Sequence, residues 1–211
     1  MSKGRLIIAN MIGMVVVLAL IAGGAYYYYE SKNYVKTDEA KVSANIMQVV
    51  APAAGTLTDW NGHEGNKVSQ DAVVGKISDG GHTVSVTSMM SGTIIKNAAN
   101  NNQMVQAGQV LAQTADLDHL YITANIKETE LKDIEEGASV DIMVDGDSDT
   151  TFKGTVEEIG YATNSVFSML PQQNTSDNYT KVTQKVPVKI SIENPSDKVL
   201  PGMNAEIKIS L

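Results

Sequence analysis

Gly55-Thr56-Leu57 returns as Gly92-Thr93-Ile94 thirty-seven residues later, and the recurrence extends beyond that tripeptide. Val68 returns as Val105, Val73-Val74 as Val110-Leu111 and Asp79 as Asp116, all at the same spacing. Each copy reads as a short strand, a glycine corner, a strand, a polar turn and another short strand, with alternate Val, Leu and Ile positions facing inward. Glycine at the corner permits a backbone angle that other residues resist. One copy alone cannot bury its apolar face, whereas two can bury theirs against each other. The spacing therefore predicts a small flattened β-sandwich with quasi-twofold symmetry over residues 46–116.

Ahead of the repeat lies a segment of a different kind. From Leu6 to Tyr29 no residue is charged, and Asn10 is the only strongly polar one. Crossing a bilayer core takes ~20 apolar residues, so this run is long enough. Residues Leu6, Val16 and Leu20 would lie in the hydrocarbon, and Tyr26, Tyr27, Tyr28 and Tyr29 would form an interfacial aromatic belt. Lys3 and Arg5 precede the run and Glu30 follows it, so the positive-inside rule keeps the N-terminus cytoplasmic. A cleaved signal peptide, with Ala22-Gly23-Gly24-Ala25 as the small-residue site, is the competing reading. The apolar run exceeds a usual signal core, and four tyrosines after a cleavage point fit poorly, which favours a retained single-pass anchor over residues 1–30. Removing Lys3 and Arg5 from the total charge of −8 leaves −10 for residues 6–211. That balance argues against nucleic acid as a partner, because phosphate binding needs clustered Lys and Arg. No cysteine is present. A disulfide scaffold, a thiolate metal site, a cysteine nucleophile and a lipoprotein anchor are thereby excluded.

The repeat resembles the biotinyl/lipoyl domain. In carriers of that family a lysine at the hairpin tip between the halves bears the cofactor. The stretch from Ile77 to Val86 resembles that hairpin, with Gly81 in the lysine's place and no lysine between Lys76 and Lys96. A carrier role lacks its nucleophile, no cofactor is expected, and Asp79-Gly80 reads as a tight turn.

On either side of the sandwich the chain continues to read as β. Residues 31–45 suggest a membrane-proximal strand and connection. Over residues 117–211, period-two alternation marks Leu120 to Ile126, Val140 to Val144, Val186 to Ile192 and Ala205 to Leu211, with Gly, Asp and Pro between. That pattern predicts an antiparallel barrel or sandwich. One helix is predicted over about 128–136, with Leu131 and Ile134 on one face and Gly137 as its stop.

The segments Asn33 to Ala40, Ala124 to Leu131, Leu170 to Asn174, Lys181 to Ile190 and Leu200-Pro201-Gly202-Met203 resemble adaptors of the HlyD/EmrA type, also called membrane fusion proteins. The likeness covers roughly residues 33–211. It implies a mainly β fold: an N-terminal transmembrane helix, a lipoyl-like barrel-sandwich hybrid and an antiparallel β-barrel with one short helix. It also implies an efflux adaptor rather than an enzyme, partnered with an integral-membrane exporter of the major facilitator superfamily. Homo-oligomeric rings or trimers are implied as well. An ABC exporter of peptides or drugs as partner, or a wall-associated binding module with no transporter, are the alternatives. Gram-negative relatives of this type carry a long α-helical hairpin between the lipoyl halves, where this chain has only four residues between Asp79 and Val84. Much of the usual assembly surface goes with it. The expected setting is a Gram-positive-type, single-membrane cell, with the domains on the outer face of the cytoplasmic membrane.

The segment from Ala162 to Lys185 is long, polar and poor in alternation, and loops of that length are usually functional. Val166, Phe167, Leu170, Gln172, Gln173, Asn174 and Tyr179 are the candidate transporter contacts. Other chemistry is weaker. Asp145 to Asp149 lacks the glycine and glutamate of a calcium loop, which fall on Thr150 and Val156, and reads as a polar turn. His63, His82 and His119 have no ligand spacing, so no metal is expected. The ten methionines fit packing and the anchor better than a copper path, with Met47, Met89 and Met90 left as a conceivable cluster. Glu157 and Glu158 should point to opposite faces of a strand. Trp60 is expected to pack in the sandwich core.

Overall fold

A computed structural model describes residues 3–167 and 182–211. The apolar run forms one helix, α1 (Lys3–Asn33), whose candidate membrane span is Met11–Glu30, exposed from Met11 to Tyr29. At 1.5 Å per residue it is about 46 Å long, enough to cross a bilayer and emerge. Asn33 Nδ2 donates to the Tyr29 carbonyl at 2.7 Å, satisfying one of the carbonyls a helix end leaves open.

With no linker between them, α1 runs into β1 (Tyr34–Ser43). This strand does more than connect. It pairs with β10 (Tyr121–Lys127) on one side and β14 (Asn204–Ser210) on the other. With β13 (Lys185–Ser191), β12 (Thr151–Ile159) and β11 (Ser139–Val144) they form a closed barrel in the order β1-β10-β13-β12-β11-β14. The barrel is thus assembled from both sides of the sandwich in sequence. Strict alternation in β10 and β13 turns Ile122, Ala124, Ile126, Val188 and Ile190 inward, where they are fully buried with Ile142, Ile207 and Ile209. A barrel this narrow is filled by its own side chains.

Between β1 and β10 sits the second domain, with a separate core. Its strands are β2 (Ile46–Val50), β3 (Gly55–Thr58), β4 (Lys67–Val68), β5 (Val73–Ser78), β6 (Thr83–Thr87), β7 (Gly92–Asn97), β8 (Met104–Val105) and β9 (Val110–Ala115). They make two sheets, β2-β9-β7-β4 and β6-β5-β3-β8. Every strand of the first half has its mate thirty-seven residues on, including β2 and β6, whose sequences conceal the relation. The halves exchange strands: β4 of the first pairs with β7 of the second, and β8 of the second with β3 of the first. Neither half can keep its sheet alone.

The corner glycines are required for closeness as well as for dihedral freedom. A Cβ on Gly55 would stand 2.5 Å from the Ser78 carbonyl oxygen, and one on Gly92 would stand 2.3 Å from that of Ala115. Ser78 and Ala115 are themselves mates in the repeat. Trp60 is buried, donating from Nε1 to Asn97 Oδ1 at 3.1 Å, so the lone tryptophan is bonded to the residue at its own symmetry position.

Two local expectations change. The predicted helix over 128–136 contracts to a 3-10 turn, Leu131–Asp133. Glu128 donates its N–H to Gln184 and so stays with the β10–β13 ladder, while Gly137 takes φ +88°, leaving too little chain for an α-helix. Glu157 and Glu158 do not alternate either. A bulge between Val156 and Glu158 exposes both, and Glu157 pairs with Lys189 at 2.8 Å.

Candidate functional site at the membrane junction

Strand registers decide which loops face the membrane. Tyr34, at the start of β1, pairs with Ser210 at the end of β14. Lys127 at the end of β10 pairs with Lys185 at the start of β13, and β12 ends at the same rim. The end of α1, the loop 128–138, the end of β12 and the start of β13 therefore share one end of the barrel. The Asp145–Thr150 turn and the 192–203 loop lie at the other, beside the sandwich.

At the α1 end, Glu30 is the fastening point. Its Oε1 accepts from Lys36 Nζ at 2.7 Å and from Lys208 Nζ at 2.8 Å, joining the helix to β1 and β14. Lys208 also lies 3.7 Å from the centroid of the Tyr34 ring. The Glu30 hydrogen bond, followed by its charge, raises the Lys208 pKa above the usual lysine range. The Leu211 N–H donates to the Asn33 carbonyl at 2.9 Å, adding a backbone tie. Tyr26, Tyr27, Tyr28 and Tyr29 are all exposed on the helix. Val16 and Leu20 are likewise exposed, and Leu6 lies within α1.

At the sandwich tip, β5 and β6 are joined by Asp79 to His82 alone. Asp79 Oδ1 accepts the N–H groups of His82 at 2.7 Å and Gly81 at 3.0 Å. These bonds, His82's first, hold the Asp79 carboxyl below its ordinary pKa. Gly81 stands in an exposed, self-closed turn.

The other candidates stay apart. Asp147 is buried in a 3-10 turn, accepting from Ser196 Oγ at 2.7 Å and Lys198 Nζ at 3.3 Å, and the Ser196 bond chiefly lowers its pKa. His119 pairs with Asp116 at 2.8 Å. Among the described residues no group of three or more His, Cys, Asp and Glu is arranged for a metal ion. Met47 and Met89 are exposed on the sandwich. Val166 is 69% exposed beside the 3-10 turn Asn164–Phe167. Leu170, Gln172, Gln173, Asn174 and Tyr179 lie outside the described residues.

These parts find counterparts in known proteins. Residues 45–116 match the family model described as the YhbJ barrel-sandwich hybrid domain, and residues 120–209 the YknX-like beta-barrel domain. The Bacillus subtilis (strain 168) efflux system component YhbJ is 67% identical over 210 residues, covering 100% of this chain and 95% of that protein. The chain belongs to the membrane fusion protein family of efflux adaptors. The Escherichia coli (strain K12) multidrug resistance protein EmrK is 34% identical over 51% of this chain, but only 28% of EmrK is spanned. The crystal structure of ZneB from Cupriavidus metallidurans shares the fold, with a TM-score of 0.63, 16% identity and coverage of 84% of this chain and 98% of that one.

Membrane fusion proteins are adaptors rather than enzymes, so this chain's functional surfaces are those that contact other components. An apolar N-terminal helix with family membership makes it a membrane-anchored member. The Glu30 junction was the element least visible in sequence. Lys36 and Lys208 are 172 positions apart, and only the closure of β1 against β14 brings both to one carboxylate.

Proposed function

We propose that this adaptor partners a major facilitator superfamily exporter of drugs or other toxic compounds. Its N-terminus would be inside and both β-domains outside the cytoplasmic membrane of a single-membrane cell. The observation that carries the reading is the shared rim: the loops flanking residues 160–184 and the end of α1 occupy one end of the barrel. A transporter embedded beside α1 would meet that rim first. The name of EmrK, a multidrug resistance protein, supports the exporter class. The closed Asp79–His82 turn supports a setting without a second membrane to reach.

Val166, Phe167, Leu170, Gln172, Gln173, Asn174 and Tyr179 are the proposed contacts, flanked by the 95%-exposed Tyr161. The adaptor would act by binding one transporter state better than another, since a partner shifts a conformational equilibrium only through unequal affinities. Deleting residues 166–180 should abolish export while Trp60 fluorescence and the β-rich circular dichroism spectrum stay unchanged. Normal export by the deletion strain would remove the contact assignment. Co-purification of a nucleotide-binding subunit in place of a multi-helix carrier would remove the exporter class.

A further inference from the structure

A cleft of about 560 Å³ opens between the last turns of α1 and the barrel rim, lined by Tyr28, Lys32, Lys132, Asp133 and Leu211. Its depth relative to the bilayer is fixed by its own wall. Tyr28 belongs to the aromatic belt, which sits at the headgroup level, and Lys32 follows one helical turn later, about 6 Å further out. Lys32 lies over the Tyr28 ring, 5.7 Å from its centroid, on the barrel side of the helix. Lys132 comes from the opposite wall, in the 3-10 turn Leu131–Asp133. Two ammonium groups from two elements thus face one cleft at the level of lipid phosphates.

The surroundings narrow what can enter. Loop 128–136 carries Glu128, Glu130, Asp133, Glu135 and Glu136 against one lysine, so this wall of the cleft is net acidic. Lys132 has an ion-pair contact with Asp133, but at 3.9 Å with 77% and 50% of the two side chains exposed it is a loose one. On this wall Lys132 is the one cation available to an anion, so binding in the cleft is local to Lys32 and Lys132. Leu211 offers an apolar wall on the same side.

We infer that this cleft is a headgroup site for a single phospholipid of the adjoining leaflet, its phosphodiester held between Lys32 and Lys132. An acyl chain would run down the exposed face of α1, and the lipid would fill the gap between anchor and barrel. The site depends on the helix being a retained anchor and not on which exporter is bound, so its test is independent of export.

The test uses the full chain purified in detergent and examined by native mass spectrometry with phosphatidylglycerol. The wild type should retain one lipid after washing. Retention by K32Q/K132Q should fall at least about tenfold, since charge-assisted hydrogen bonds are about twice as strong as neutral ones. K32R/K132R should restore it. Both lysines are exposed, and unchanged thermal melting of each variant checks the fold. Equal retention by wild type and K32Q/K132Q would overturn the site. Displacement of the lipid by glycerol 3-phosphate alone would assign the cleft to a soluble phosphate ester and overturn the lipid.

Discussion

Thr114 offers the sharpest test of how the sandwich is built. It lies on β9, fully buried, and its Oγ1 is the one side-chain polar atom among the described residues that is buried with no hydrogen-bond partner. Its mate in the repeat is Ile77, 1% exposed on β5. One half therefore places an aliphatic side chain where the other places a hydroxyl with nothing to bond. Thr114→Val exchanges the hydroxyl for a methyl group in the same branched shape and keeps a strand-favouring residue. A buried polar group without a partner costs about 1–3 kcal/mol, so removing it should stabilise the sandwich by about 1–2 kcal/mol. In urea, with a slope near ~1 kcal/mol per molar for a domain this small, the midpoint should rise by about 1–2 M. Trp60 is the only tryptophan and is buried in this domain's core, so its fluorescence reports this unfolding and not the barrel's. A midpoint unchanged or lowered by Thr114→Val would refute the reasoning. It would mean that the hydroxyl has a partner, or that the site tolerates no second methyl.

Gly92→Ala forces a Cβ against the Ala115 carbonyl and should lower the same fluorescence midpoint by about 1–3 kcal/mol of stability, the usual cost of overpacking. Gly55→Ala should do likewise against Ser78, and a neutral result at both corners would discard the close-approach argument. Asp147→Asn should destabilise the barrel at neutral pH, measured by amide hydrogen exchange on β11 and β14. The folded pKa of Asp147 is lowered, so its contribution is present above the unfolded value near 3.8 and lost as pH falls through the folded one. Wild type and variant should therefore converge in strong acid, and a gap that persists there would exclude the ion pair as the cause. Glu30→Gln should speed hydrogen exchange at the start of β1 and at Lys208, leaving the sandwich untouched; unchanged exchange would show that the backbone tie at Leu211 is sufficient.

Alternation and repetition were readable because each is local or periodic. Ile122, Ala124 and Ile126 declare an inward face by themselves, and the corner glycines declare the repeat. Thirty-seven-residue spacing also holds for β2 and β6, but Ile46-Met47-Gln48 and Thr83-Val84-Ser85 share no side-chain type. Only Val49 and Val86, both buried, preserve the relation in sequence. The role of β1 was hidden for another reason. Lys36, Thr37, Asp38 and Glu39 break its apolar alternation, and a register shift between Thr37 and Ala40 bends it around the barrel. Strand partners separated by more than 160 residues leave no local mark. The over-long helix at 128–136 failed because Leu131 and Ile134 suit a helical face and a 3-10 turn equally well, and the β10–β13 ladder took Glu128 first.

The same connectivity explains how a family can vary its reach while keeping its core. The two halves exchange β4 and β8, so the sandwich is held by pairings that include no residue of the Asp79–His82 turn. That turn is exposed, and its hydrogen bonds stay within it and the adjoining Ser78. Extra chain inserted there disturbs neither sheet, and each doubling of a loop adds only about 0.6 kcal/mol of closure cost. The opposite end of the molecule has no such freedom. Helix α1 enters β1 without a spacer, and Glu30 fastens it to strands from both ends of the chain. Length is therefore free to change at the tip and constrained at the membrane. In this chain the tip is closed to four residues, while at the membrane end the direct passage of α1 into β1 fixes the geometry from which the barrel leaves the anchor.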